Sequence, residues 1–206
     1  MRPLSYARLL AVILTAIPSL FSAPAASSLT VVLDYERPHS RSSFEALRTE
    51  LRAIMKSAGL SLEVEDKALL APNSQFGGLV VFKMAGHCDA TPIPLEALSD
   101  ERGPLAMAYT ADGEILPFGE VRCDRVRQSL QRTLGQGMPS GRDSLAYGSA
   151  LGKVMAHEIY HMLAHEPHHT RTGLTKEALS SRELLDGSIM LPEGALNEIR
   201  RNLHGK

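Results

Sequence analysis

Residues 151–164 read Leu151-Gly152-Lys153-Val154-Met155-Ala156-His157-Glu158-Ile159-Tyr160-His161-Met162-Leu163-Ala164, an apolar run that contains two histidines four positions apart. Residues four apart are neighbours on one face of an α-helix, so the imidazoles of His157 and His161 can reach a single metal ion. Glu158 lies beside that face, where its carboxylate can accept a proton from a metal-bound water. The pattern H-E-x-x-H therefore predicts a zinc-binding helix with Glu158 as its general base.

The same stretch has a second, apolar side. This side is formed by Leu151, Met155, Ile159 and Met162. A helix with this division buries its apolar side and presents the histidines away from it. Asp143 or Ser144 can cap the start of the helix, and Pro167 disfavours helical structure at the residue before it. We therefore expect one helix over residues 143–165.

A catalytic zinc ion has three protein ligands and one position for water, so the motif requires a third ligand elsewhere in the chain. The candidates downstream of the motif are His165, His168, His169, Glu177 and Glu183. His165 lies about 12 Å of helical rise from His157, too far to share its ion, and we expect it around the site or on the surface. A turn at Pro167 can bring either His168 or His169 back toward the metal. The spacing alone leaves these two open.

The remaining sequence predicts a small α/β sheet domain. Strands are expected where β-branched or alternating apolar residues occur, over residues 29–33, 60–64, 78–84 and 105–109. Helices are expected where apolar residues recur at helical spacing, over residues 44–58, 122–134 and 193–203. A loop rich in glycine and proline occupies residues 135–141. The predicted fold is a small mixed sheet packed against the motif helix and a C-terminal helix.

Two finer features of this fold are also predicted. The strand over residues 78–84 is apolar on both faces, which indicates an interior position in the sheet. Gly148 and Gly152 lie one helical turn apart, which indicates close packing of the motif helix on the sheet.

The beginning of the chain has the layout of a secretory signal. Two early arginines supply positive charge, residues 9–17 form an apolar run, and Ala23-Pro24-Ala25 is a cleavage box of small residues. The apolar run is too short to span a bilayer comfortably. We therefore expect a signal peptide over 1–25 and a single domain over 26–206. The protein is expected to be secreted or periplasmic, with no stable membrane insertion after signal cleavage.

Composition limits the partners of the chain. It has 206 residues, of which 44% are hydrophobic and 22% are charged, as expected for one soluble globular domain. The formal net charge of −1 gives no indication of a nucleic-acid partner. Cys88 and Cys123 lack the spacing of a zinc-binding pair. In an oxidising compartment, an even number of cysteines favours a disulfide between them.

From Leu29 onward the chain resembles small secreted bacterial proteins with a metzincin-like architecture. Their motif helix reads approximately A-H-E-[LI]-x-H-x-[LF]-[AG], and residues 156–164 match it as AHEIYHMLA. A second segment, H-x-x-x-G-[ILV]-x-[KR]-A, is matched by His169-Thr170-Arg171-Thr172-Gly173-Leu174-Thr175-Lys176. The resemblance implies a zinc metallopeptidase in which His169 is the third ligand, twelve residues after His157.

The sequence departs from the common metzincin pattern H-E-x-x-H-x-x-G-x-x-H at two positions. Ala164 stands where that pattern has its turn glycine, and Pro167 stands where it has the last histidine. A third ligand at His169 therefore arrives by a longer loop. Metzincins also place a methionine turn beneath the metal, and the resemblance makes Met190, ahead of the C-terminal helix, the candidate.

These observations predict an exported zinc-dependent hydrolase, a peptidase whose substrate is a peptide or protein. Zinc lowers the pKa of its bound water and polarises the scissile carbonyl, and Glu158 moves the proton. The alternative is an exported protein that binds zinc without catalysis, for which the histidine-rich segment 157–169 is also suited. Zinc held by four protein ligands favours the alternative, and an open coordination position favours the hydrolase.

Overall fold

The computed structural model describes residues 28–94, 103–134 and 140–204. Its strands are β1 (Ser28–Tyr35), β2 (Ser61–Asp66), β3 (Leu79–Ala85), β4 (Ala106–Ala111) and β5 (Glu114–Arg122). Its helices are α1 (Arg41–Ser57), α2 (Cys123–Leu134), α3 (Ser140–Ala164), α4 (Ser181–Leu185) and α5 (Glu193–His204). The expected signal peptide over 1–25 and most of the expected loop over 135–141 lie outside these ranges.

The strands in the described ranges form one mixed sheet in the order β2-β1-β3-β5-β4. β1 pairs in parallel with β2 and β3, and β3 pairs in parallel with β5. β4 is an antiparallel edge strand beside β5. A tight hairpin joins them at Asp112 and Gly113, whose φ angles of 53° and 82° suit a two-residue turn. The prediction of a small mixed α/β sheet is confirmed.

One face of the sheet is buried and the other is open. Phe82 and Val121 are fully buried on the covered face. On the opposite face, Lys83 is exposed and Phe118 is 45% exposed. β3 is interior, as predicted from its sequence, because β1 and β5 pair with its two edges. However, it is buried on one face alone, since Lys83 and Leu79 on the other face contact solvent.

The motif helix α3 is the centre of the domain. It packs along α1, against β4 and β5 and beside α4 and α5. Every residue from 150 to 162 is buried, including the histidines of the motif. α3 is therefore covered on its histidine side as well as on its apolar side. The physical reason is that the chain beyond the helix folds back over its histidine side.

The glycine pair of α3 packs against a helix. A Cβ atom at Gly148 would lie 2.3 Å from the carbonyl oxygen of Ser43, and one at Gly152 would lie 3.0 Å from that of Leu47. Both carbonyls belong to α1. The glycines therefore allow the backbones of α3 and α1 to approach closely, which corrects the predicted contact with the sheet.

The C-terminal helix closes the end of α3. His165 terminates α3 by adopting a positive φ of 51°. Nδ2 of Asn202, in α5, then donates to the carbonyl oxygens of Leu163 at 3.1 Å and Ala164 at 2.8 Å. A helix leaves its last carbonyls without partners inside the helix, so this amide stabilises the point where the chain turns toward the site.

The strand β5, like the short helix α4, is not predicted by the sequence patterns. Pro117 and Gly119 interrupt the alternation of its side chains. The strand forms because Pro117 lies in an irregular stretch, between the cross-strand pairs Ala108–Gly119 and Thr110–Ile115. Proline has no N–H, and it is tolerated there because the irregular stretch needs no ladder hydrogen bond from that residue.

The two cysteines are joined in a disulfide, as expected. The Cα atoms of Cys88 and Cys123 lie 4.9 Å apart, and both residues are buried. The bridge ties the segment after β3 to the first residue of α2. Within the described ranges, no helix combines the length and apolar character needed to cross a membrane.

Candidate metal centre

His157 and His161 project from adjacent turns of α3 toward the same point. Their Nε2 atoms lie 3.1 Å apart. Nitrogen ligands about 2.0–2.1 Å from a tetrahedral zinc ion are separated by about 3.3 Å. The two rings therefore have the spacing of two ligands to one ion.

Backbone carbonyls set the protonation of both rings. Nδ1 of His157 lies 2.6 Å from the carbonyl oxygen of Leu174, and Nδ1 of His161 lies 2.5 Å from that of Glu166. A carbonyl oxygen only accepts, so each Nδ1 carries the proton and donates it. Each Nε2 then presents a lone pair, and the two lone pairs face each other. This arrangement suits a bound cation, and such outer hydrogen bonds are typical of metal-binding histidines.

His169 joins the pair from the loop beyond α3. Its ring centroid lies 5.1 Å from that of His157 and 4.8 Å from that of His161. One ligand nitrogen from each of the three rings lies within 4.8 Å of the others. Of the two histidines that the spacing left open, the structure therefore brings His169 and not His168 to the motif. Three imidazole nitrogens are a donor set that fits zinc.

The other candidate ligands lie elsewhere. His168 is exposed, and its Nδ1 contacts a carboxylate oxygen of Glu166 at 2.6 Å. Glu183 caps the start of α4 and pairs with Lys176 at 2.5 Å. His165 occupies the left-handed turn at the end of α3. Within the described part of the chain, the histidine cluster contains none of these three.

Glu158 is held beside the histidines by the edge strand. Its Oε2 accepts a hydrogen bond of 2.8 Å from the backbone N–H of Ala108 in β4. Burial raises the pKa of Glu158 to about 7, and the hydrogen bond from Ala108 opposes this shift. A carboxyl group with a pKa near neutrality can both accept and return a proton in one catalytic cycle.

Burial also acts on the motif histidines. It lowers the pKa of His157 to about 4, assisted by the charges of His161 and His169 and opposed by the hydrogen bond to Leu174. Burial likewise lowers the pKa of His161. Both imidazoles are therefore neutral near pH 7, and metal binding requires this form.

The histidines and Glu158 line a cleft of about 540 Å³. One wall is formed by residues 103–108, which lead into and include the start of β4, and another by residues 176–179. Much of the lining is apolar, from Leu105, Met107, Val154 and Leu179. Glu177 lines the cleft too but does not join the histidine cluster. A mainly apolar cleft with a few convergent polar groups is the usual form of a binding site.

Met190 lies next to the segment that supports His157. Its side chain is 37% exposed and does not line the cleft, whereas its carbonyl oxygen accepts from the N–H of Leu174 at 3.0 Å. Leu174, which accepts from Nδ1 of His157, belongs to the short 3-10 turn Gly173–Thr175. A methionine turn at Met190 stays a prediction.

Sequence reasoning missed the main-chain partners of the site. These are the N–H of Ala108 and the carbonyl oxygens of Glu166 and Leu174. Every residue type offers the same backbone carbonyl, so no letter of the sequence marks such a partner. Only the path of the folded chain identifies them.

A mixed sheet, a central helix with paired histidines and a third histidine from the following loop together define a zincin-like α/β fold. The structure is similar to the crystal structure of archaemetzincin from Methanopyrus kandleri, with a TM-score of 0.51. The similarity covers 88% of this chain and 98% of that chain. The two sequences are 10% identical, so the likeness shows the fold alone. No protein-family model and no curated protein matches the sequence.

Proposed function

We propose that this chain is an exported zinc-dependent hydrolase that cleaves peptide bonds. The observation that carries the proposal is the convergence of ring nitrogens from His157, His161 and His169 beside the buried carboxyl of Glu158. The fold shared with archaemetzincin, a protein whose name places it with the metzincins, supports the peptidase class. The identity of the metal as zinc is also part of the proposal, and it rests on the set of three histidine nitrogens.

The number of ligands favours catalysis over zinc binding alone. The described ranges supply three ligand nitrogens at one point, and a tetrahedral ion then keeps one position for solvent. That position would face the cleft that the three histidines line. A purely structural or storage site usually has four protein ligands.

Glu158 would move the proton during hydrolysis. Zinc, when bound, supplies a Lewis acid that polarises the substrate carbonyl and acidifies a water molecule. The N–H of Ala108 holds Oε2 of Glu158, which leaves the other carboxylate oxygen free to accept the proton of the attacking water. Glu158 then returns the proton to the amine that leaves. Its pKa, raised by burial, suits both transfers.

The edge strand supports a peptide as the substrate. Among the residues that the structure describes, β4 pairs with a strand along one edge only, that of β5, and residues of β4 line the cleft beside the histidines. An extended peptide can add to such an edge through main-chain hydrogen bonds. The scissile bond of that peptide would then lie near Glu158.

Replacing the general base tests this proposal. Glu158→Gln keeps the shape of the side chain and an acceptor for Ala108, but it cannot take up the proton. We expect hydrolysis of casein or a peptide library to fall about 10²–10⁴-fold while zinc is retained. Glu114→Gln, the same change at an exposed position on β5, is the matched control and should leave both unchanged.

Two outcomes contradict the proposal in different ways. Wild-type hydrolysis in Glu158→Gln contradicts the role of the base. Bound zinc without hydrolysis of any member of the library supports the non-catalytic alternative. Export stays a prediction, and the disulfide is compatible with the oxidising compartment that the signal segment indicates.

A further inference from the structure

The third histidine is held differently from the other two. His157 and His161 are buried, and each donates from Nδ1 to a backbone carbonyl. His169 is exposed, and its ring forms no hydrogen bond within the described part of the chain, only contacts with the other two rings. The position of this ring therefore depends on how the backbone around it is fixed.

The residue that follows His169, Thr170, is anchored by three contacts. The N–H of Thr170 donates to the carbonyl oxygen of Thr175 at 2.9 Å, and Oγ1 of Thr170 lies 2.6 Å from Oγ1 of Thr175. Oγ1 of Thr170 also donates to the carbonyl oxygen of Thr172 at 2.8 Å. Oγ1 of Thr175 lies farther from that carbonyl oxygen, at 3.5 Å, so the geometry favours Thr175 as the donor between the two hydroxyls.

The far end of this loop is fixed in the core. Leu174 and Thr175 are fully buried, and the carbonyl oxygen of Leu174 is the acceptor for His157. Gly173 has a φ of +68°, and a Cβ atom there would lie 2.7 Å from the carbonyl oxygen of Met190. Residues 170–175 therefore form a closed loop that contacts the motif helix at Leu174. The same loop packs against Met190 at Gly173.

We propose that the hydroxyl pair of Thr170 and Thr175 positions His169 for metal binding. Thr175 is the fixed point, and its hydroxyl holds Thr170, so the backbone of His169 is set relative to His157. This inference rests on the proposed zinc site.

Removing the hydroxyls one at a time tests the inference. Thr175→Val and Thr170→Val keep the branched shape and lose the hydrogen bond between the side chains. Thr170→Val also loses the bond to the carbonyl oxygen of Thr172. We expect zinc affinity to fall about 10–100-fold in each, the usual effect of losing an outer partner of a metal ligand. The measurement is competition for zinc between the full-length protein and a chromogenic chelator.

Two further variants make the result specific. Thr172→Val is the matched control, because this exposed residue lies in the same loop and its side chain makes no capping hydrogen bond. It should bind zinc as the wild type does. Thr175→Ser keeps the hydroxyl and should restore wild-type affinity. If the buried Thr175→Val does not fold, Thr170→Val at its exposed position still decides the question.

Cobalt in place of zinc gives a readout that is independent of hydrolysis. Visible absorption of Co²⁺ reports the number and geometry of its ligands. We expect the tetrahedral band in the wild type and in Thr172→Val, and a weaker band in Thr170→Val and Thr175→Val. Unchanged affinity and an unchanged band in both threonine variants overturn the inference. A wild type that binds neither ion contradicts the proposed zinc site itself, which is a distinguishable result.

Discussion

The candidate metal centre has a helical half and a loop half, and they are built in opposite ways. His157, Glu158 and His161 lie on one helix, are buried, and each accepts or donates a hydrogen bond with the backbone. His169 lies in an exposed loop without a hydrogen bond to its ring in the described ranges. The comparison teaches that the helical half is fixed by core packing, whereas the loop half is fixed by a few polar contacts along the chain.

One added methyl group at the contact between α3 and α1 should destabilise the helical half. A Cβ atom at Gly148 would lie 2.3 Å from the carbonyl oxygen of Ser43 and 2.7 Å from Cβ of Ala46. Neither neighbour is a flexible side-chain end, so the helices must separate. We expect Gly148→Ala to lower the free energy of unfolding by about 3 kcal/mol or more.

The matched control for this change is Gly194→Ala in α5. A Cβ atom at Gly194 meets nothing within 4 Å, so alanine there should be neutral or stabilise the helix by up to about 1 kcal/mol. Urea unfolding of the metal-free proteins measures both changes. Equal stability of Gly148→Ala and wild type would show that α3 and α1 are not in the close contact described above.

A smaller effect concerns how much the buried carboxyl of Glu158 lowers the free energy of unfolding, which sharpens the contrast between the two halves. Burial raises the pKa of Glu158 from 4.5 to about 7, so the folded metal-free protein holds this proton more tightly than the unfolded chain. The contribution of protonated Glu158 to the free energy of unfolding is fully present below pH 4.5, and it is lost as the pH rises through 7. Glutamine stays neutral throughout.

The metal-free Glu158→Gln variant should therefore equal the wild type in stability near pH 4.5. At pH 8 it should be more stable by up to about 3 kcal/mol. Unfolding by urea at several pH values measures the difference between the two proteins, in which the titration of the shared histidines largely cancels. A constant difference across this range would mean that the carboxyl is not desolvated in the folded state.

Sequence patterns predict the helical half because its metal-binding and apolar residues recur at helical spacing. The spacing of His157 and His161 specifies one face of a helix, and both lie at one point in the structure. The strands with clear alternation are found near their expected positions as well. The helical pattern does not predict what surrounds α3. It indicates which side chains are apolar, but it does not indicate that a later segment of the chain covers the polar side.

The loop half is harder to predict for a physical reason. Spacing leaves His168 and His169 open, and only the resemblance to metzincin-like proteins favours His169. The structure separates them through contacts that are not periodic, such as the pair formed by His168 with Glu166 and the hydroxyl contact after His169.

The joining of the two halves by one zinc ion is tested most directly by the metal content of three proteins. Wild type, His168→Ala and His169→Ala are supplied with micromolar zinc, dialysed and measured by mass spectrometry. We expect about one zinc per chain in the wild type and in His168→Ala, and loss of zinc from His169→Ala. Zinc retained in full by His169→Ala, or a wild type that takes up none, would contradict the three-histidine site.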